Sequence, residues 1–135
     1  MKKAVALLCL VPLIALFFCG CRFIRIEEAE RDALKYTIVN EEKIPQELAA
    51  LIEEKKKQEF QLTYQSGEDL YLVKGYGQQL SGGYSIQVTE VSLSENAVFF
   101  LTKLLGPSEE SMGSEPSYPY IVVKIQYREE PVQFR

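Results

Sequence analysis

YIVVKIQY, at residues 120–127, is the strongest strand signal in this sequence. β-branched and aromatic side chains dominate it, and such side chains fit the pleated surface of a sheet. Its run Ile121-Val122-Val123 lacks polar alternation, which is typical of a strand that is covered on both faces. We therefore predict that this strand occupies a central position in its sheet.

Outside this strand, the sequence predicts a sheet-rich domain with one helix. Pro45 suits the first turn of a helix, and Leu48, Leu51 and Ile52 recur at helical spacing. One amphipathic helix is therefore predicted over roughly residues 45–58, against one side of a sheet.

Alternating or β-branched segments predict the other strands. Their approximate ranges are 34–39, 60–64, 70–74, 84–93, 97–105 and 132–134. Residues 106–117 are rich in Gly, Ser, Pro and Glu and are predicted to form a loop. The predicted fold class is α+β: a mostly antiparallel β-sheet or sandwich of about six to seven strands, with one amphipathic helix near the start of the domain.

The N-terminus has the pattern of an exported precursor. Lys2 and Lys3 precede an uncharged, largely apolar stretch over residues 4–18, which is shorter than the roughly 20 residues that a membrane-spanning helix needs. Residues 1–20 are therefore predicted to be a signal peptide. A retained membrane anchor, or an ordinary cleaved signal that releases a soluble protein, are the alternatives.

Gly20 followed by Cys21 resembles the lipobox of bacterial lipoproteins. The charged residues 22–33 are predicted to form most of a tether over residues 21–33, and the strand and helix patterns that follow predict a single α+β domain over residues 34–135. The lipobox resemblance implies a lipid on the Cys21 thiol, which makes this tether lipidated. It also implies that the membrane is a partner of the protein. The expected location is the bacterial cell envelope, on the outer face of the cytoplasmic membrane or on the periplasmic side where there are two membranes.

The composition narrows the possible functions. Removal of residues 1–20 leaves 13 basic and 19 acidic side chains, a net charge of about −6, which argues against a nucleic-acid partner. The chain has no histidine, and all three cysteines lie at or before Cys21, which excludes His-based triads, Cys–His dyads and most transition-metal sites. We therefore expect no catalytic residues, no metal, no cofactor and no enzyme activity.

Two motifs carry a family resemblance. They are YGQQLSGGYSI at residues 76–86 and SYPYIVVKI at residues 117–125. Together they resemble the C-terminal domain of the PrcB family of protease-complex lipoproteins, over about residues 70–127. Ser81 stands where that family usually has Thr, and Leu80 stands where Pro is common. The resemblance implies a non-enzymatic protein that binds and stabilises a partner envelope protein, with a protease complex as one candidate.

The same motifs supply the candidate partner-binding residues, which are Ser81, Gly82, Gly83, Tyr84, Tyr118, Pro119 and Tyr120. The alternative is purely architectural: two glycines in a tight turn, and a proline at the start of a strand.

Two other functions are also open. The segment SGGY at residues 81–84 is similar to a loop of the chagasin-like inhibitors of cysteine proteases, which would make it an inhibitory wedge. The other is a passive structural or ligand-binding role in the envelope.

Overall fold

The computed structural model describes residues 31–135. The predicted signal peptide and Cys21 lie outside these residues. Within them, no helix has the length and apolar character that crossing a membrane requires.

Eight strands form two four-stranded sheets in the described part of the chain. In chain order the strands are β1 (Asp32–Ala33), β2 (Thr37–Ile38), β3 (Glu59–Ser66), β4 (Asp69–Tyr76), β5 (Ser85–Leu93), β6 (Val98–Leu105), β7 (Tyr120–Gln126) and β8 (Val132–Phe134). Sheet A has the order β1-β5-β6-β8, and sheet B has the order β2-β7-β4-β3. All pairs are antiparallel except β6 with β8. The predicted α+β class is confirmed.

The helix prediction is also confirmed, with tighter limits. A short 3-10 helix at Glu41–Lys43 precedes α1, which spans Gln46–Lys55. Leu48 and Ile52 of α1 are buried, but Leu51, which was placed in the same apolar stripe, is 36% exposed. The apolar stripe of α1 is therefore narrower than predicted, as expected for a helix that contacts a sheet on one side only.

Strand β7 contributes to two hydrophobic cores at once. Successive side chains of a strand point to opposite faces, so Ile121, Val123 and Ile125 enter one core and Val122 enters the other. Because β2 and β4 flank β7 in sheet B, the predicted central position is confirmed.

We name the two cores by the layers that they join. The sheet–sheet core consists of Leu70, Leu72, Val91, Val98, Phe100, Ile121, Val123 and Ile125. The helix–sheet core consists of Leu48, Ile52, Tyr71, Val73 and Val122. Sheet B therefore lies between α1 and sheet A. Burial of each large side chain from these cores contributes about 1.5–3 kcal/mol to the driving force for folding.

The prediction of one strand over residues 34–39 is wrong. Only Thr37–Ile38 form a strand there, and Asp32–Ala33, the last two residues of the predicted tether, form another. Thr37–Ile38 pairs with β7 in sheet B, whereas Asp32–Ala33 pairs with β5 in sheet A. The chain crosses between the sheets over residues 34–36, so a continuous strand cannot form.

The two ends of the sandwich differ in their connections. At the hairpin end, tight turns join β3 to β4 and β5 to β6, with Gly67 at φ +60° in the first and the Ser94 side chain closing the second. At the loop end, the long connections of residues 77–84 and 106–119 link the sheets. The described chain begins at the hairpin end, because Asp32 pairs with Leu93 at the end of β5.

Candidate functional site

The two sequence motifs meet at the loop end. Gln79 and Ser117 form an isolated antiparallel bridge, with N–H to carbonyl distances of 2.8 and 3.1 Å. The Ser117 hydroxyl donates to the Ser81 carbonyl oxygen at 2.6 Å. The Tyr76 N–H donates to the Pro119 carbonyl at 3.0 Å. These bonds fix the first motif alongside the start of the second.

Gly83 holds the 77–84 loop against its neighbour. Its φ is +88°, in the left-handed region that favours glycine. A Cβ at this position would collide with the Ser111 carbonyl and lie 2.8 Å from the Pro107 Cβ. A Cβ at Gly82 would meet nothing within 4 Å. The two adjacent glycines therefore have different roles, and only Gly83 is required by packing.

Leu80 is the large apolar residue of this loop whose side chain does not pack against the domain. It is 90% exposed, whereas Tyr84, the expected aromatic anchor, is half-buried and lies near Gly106. Met112, on the adjoining 106–119 loop, is 57% exposed. The loop end thus presents apolar side chains to solvent at both connections.

Sequence analysis did not include Leu80 among the candidate site residues. A signal was present: Leu80 is an apolar side chain in a segment of Gln, Ser and Gly that fits neither a helical nor a strand period. Such a residue has no place in a predicted core. The pattern therefore predicts a surface position for Leu80.

Tyr118, Pro119 and Tyr120 lie towards the helix side of the loop end. The Lys56 ammonium lies 5.4 Å from the centre of the Tyr118 ring, within cation–π range. The Tyr118–Pro119 bond is trans, and β7 begins directly after it. With Ile38 and Ile44, the three residues line a shallow cleft of about 260 Å³.

The Tyr120 phenol is the group at this site whose ionisation the structure changes most. Its hydroxyl donates to the Glu41 carboxylate at 3.2 Å. Burial, followed by the Glu41 charge and hydrogen bond, raises the pKa of Tyr120 from 10.0 to about 12. Tyr120 is therefore a protonated hydrogen-bond donor at neutral pH, in a structural contact with the segment that leads to α1.

The seven candidate residues do not form one surface. Ser81 is bonded to Ser117, next to Tyr118, but Tyr84 lies near Gly106 and Tyr120 contacts Glu41. The loop end is therefore an assembled structure whose most exposed large apolar side chain is Leu80.

One ion pair near the loop end joins the neighbouring strands β3 and β4. Glu59 accepts from Lys74 at 2.8 Å, and that hydrogen bond and the lysine charge lower the pKa of Glu59. Among residues 31–135, no group of three or more His, Cys, Asp or Glu side chains is arranged to hold a metal ion.

Fold and site together define a class: a two-sheet α+β domain with one covering helix and two exposed apolar side chains, Leu80 and Met112, at its loop end. Residues 70–126 match the family described as PrcB C-terminal, and this part of the chain belongs to that domain family. The match runs from β4 to the end of β7 and contains both motifs, which confirms the resemblance seen in the sequence. No curated protein and no solved structure matches the chain.

Proposed function

We propose that this chain is a non-enzymatic lipoprotein of the bacterial envelope that binds and stabilises a partner envelope protein through its loop end. A protease complex is the first candidate partner, because the domain belongs to the PrcB C-terminal family. The lipid on Cys21 and the envelope location are parts of the same proposal. They are supported by the lipobox-like Gly20-Cys21.

The exposure of Leu80 carries the proposal. Its neighbours are held by the Gln79–Ser117 bridge and by the packing of Gly83, so the side chain is presented from a fixed backbone. An apolar side chain on a pre-organised backbone binds at a low cost in conformational entropy. A 90% exposed leucine contributes almost nothing to folding, so its side chain is available for contact with a partner.

The place where the chain joins the domain supports the same interpretation. Arg31, the first described residue, leads into β1 at the hairpin end. A lipid on Cys21 would be linked through ten residues, which extend over at most about 33–36 Å. The loop end, at the opposite end of the sandwich, would then be the free end.

Recovery of a partner from membranes tests the proposal. The full chain would be solubilised from its native membranes with its cross-linked partners, as wild type, as Leu80→Asp and as the control Leu51→Asp on the outer face of α1. We expect one protein to be recovered with wild type and Leu51→Asp and lost with Leu80→Asp. Equal recovery with all three forms, or no recovery with any, would contradict the proposal.

Mass spectrometry of the purified N-terminus tests the lipid anchor separately. We expect a chain that begins at Cys21 and carries the mass of acyl groups. A peptide that begins at Met1 with an unmodified Cys21 would exclude lipidation, without deciding whether the domain binds a partner.

A protease inhibitor is the second candidate function. Three connections lie at the loop end, namely residues 56–58, 77–84 and 106–119, and Gln78 donates to the Lys57 carbonyl at 3.2 Å. Several loops at one end of a sandwich are suited to entering a cleft. Inhibition of a cysteine or serine protease that is lost in Tyr84→Ala or Leu80→Ala would favour this function, and no inhibition across a panel of both classes would exclude it.

A further inference from the structure

Strand β3 presents a polar face to the space between the sheets. Phe60, Leu62 and Tyr64 pack towards the helix–sheet core. The side chains on the opposite face, Gln61, Thr63 and Gln65, are all exposed. A strand face that points towards a second sheet but remains polar is not part of a core.

The polar face of β3 remains uncovered because β3 and β8 differ in length. Strand β3 has eight residues, whereas β8, the last strand of sheet A, has three. Between them lies an open cleft of about 630 Å³, whose floor includes Gln61 and Thr63 and whose opposite wall includes Val132 and Phe134. Sheet A therefore ends before it covers β3.

The backbone of β8 has a free edge along this cleft. The Pro131 carbonyl accepts from Val98 at 2.9 Å, and Arg135 donates to Phe100 and accepts from Thr102, both at 3.0 Å. Residues 131, 133 and 135 therefore face β6. Because hydrogen-bonding groups alternate along a strand, the N–H and C=O groups of Val132 and Phe134 face away from β6, where no described strand pairs with them.

We infer that this cleft binds an extended peptide segment of a partner protein, which adds to sheet A as a strand beside β8 and lies over β3. Main-chain hydrogen bonds supply affinity in this mode of recognition, and alternate side chains supply specificity. The side chains that face β3 would be small and polar, to match Gln61, Thr63 and Gln65. This site is separate from the loop end and does not depend on the proposed function.

The charged side chains of the cleft predict the charge that the bound peptide segment carries. Glu129 and Glu130 both line it, against one basic side chain, Arg128. Arg128 donates to Glu130 at 2.8 Å, and this contact lowers the pKa of Glu130. Glu129 is exposed and adds a second negative charge. The bound segment therefore carries a lysine or arginine at the end that lies near residues 128–130.

Nuclear magnetic resonance titration tests the inference on the isotope-labelled full chain. The probe is the capped peptide Lys-Thr-Val-Thr-Val-Thr, and the comparison peptide is the same sequence with alternate amides N-methylated. We expect saturable shifts at the amides of Val132 and Phe134 and at the side-chain amides of Gln61 and Gln65. The peptide that is methylated on the amides facing β8 should bind at least about tenfold more weakly, because it loses donors to β8.

Two variants separate strand addition from other kinds of binding. Val132→Pro removes an N–H that faces the cleft and leaves the bonds to β6, which proline on an edge strand permits. Thr63→Trp fills the floor of the cleft and leaves the N–H and C=O groups of β8 in place. Both should weaken peptide binding at least about tenfold while the backbone spectrum outside the cleft stays unchanged.

Several results would overturn the inference. These are no saturable binding up to about 1 mM peptide, equal binding to wild type and both variants, shifts confined to another surface, or equal binding of the methylated peptide. Dimerisation of the full chain that is abolished by Val132→Pro would also overturn it, because the occupant would then be a second copy of this chain.

Discussion

The two motif segments of this domain are neighbours in space but differ in how much of them the fold uses. In residues 117–125, every side chain is buried or half-buried, and the strand within it serves both hydrophobic cores. In residues 76–86, Gly83 is packed against the next loop, yet Leu80 is almost fully exposed. Packing therefore accounts for the residues of the 117–125 motif, whereas it accounts for only some residues of the 76–86 motif. A binding residue should be sought in the part that packing does not explain.

The largest expected effect comes from the buried motif. Ile125→Ala removes a 3% exposed side chain from the sheet–sheet core, and we expect the free energy of unfolding to fall by about 2–5 kcal/mol. The adjacent control Gln126→Ala, at an exposed position, should change it by less than about 0.5 kcal/mol. Urea denaturation measures both. Similar losses for the two variants would show that β7 is not a core strand.

The next effect distinguishes the two glycines of the first motif. Gly83→Ala forces a side chain into the left-handed region and against the Ser111 carbonyl, and should cost about 1–3 kcal/mol of stability. Gly82→Ala, in open space, should cost less than about 0.5 kcal/mol. Thermal unfolding of the two variants provides a matched comparison. Equal costs would mean that the packing between the 77–84 loop and the 106–119 loop is unimportant.

The third effect concerns the contact between Tyr120 and Glu41, and it appears only at high pH. The folded state keeps the Tyr120 phenol protonated up to a pKa of about 12, whereas the unfolded chain releases that proton near 10.0. The stability that this group contributes is complete below pH 10 and is lost as the pH rises towards 12. Urea unfolding between pH 9 and about 12 should therefore show a steeper loss of stability for wild type than for Tyr120→Phe. Identical slopes would contradict the raised pKa.

The smallest effect on stability is expected at Leu80, the residue that we propose for partner binding. Leu80→Ser should change the free energy of unfolding by less than about 0.5 kcal/mol, because its side chain is already 90% exposed. The variant should nonetheless fail to recover the partner that wild type recovers. A loss of stability above about 1 kcal/mol would instead make Leu80 a structural residue.

Local sequence patterns were sufficient for the elements that depend on one continuous segment. Strand β7 and helix α1 were predicted because their own residues carry the period and the terminal signals. Strand β8 was predicted for the same reason. Membership of the PrcB C-terminal family was likewise readable from two short motifs in order.

Pairing between distant segments was not readable in this way. Residues 34–39 look like one strand, but their hydrogen-bond partners near Val91 and Val123 belong to different sheets. The parallel pairing of β8 with β6 is likewise a contact between segments that are distant in the chain. Leu80 was missed because exposure is a property of the assembled loop end. The bridge between Gln79 and Ser117 joins residues that are far apart in the chain.

The position of Arg31 has a mechanical consequence. The chain joins β1 at the hairpin end, and Leu80 lies at the opposite end. A pull between a membrane anchor and a partner held at Leu80 would run along the strands, so the hydrogen bonds between β1 and β5 would be loaded together in shear. A pull across the strands would break such bonds one at a time. If both proposed attachments exist, tension between them would act along the direction in which paired strands resist it most.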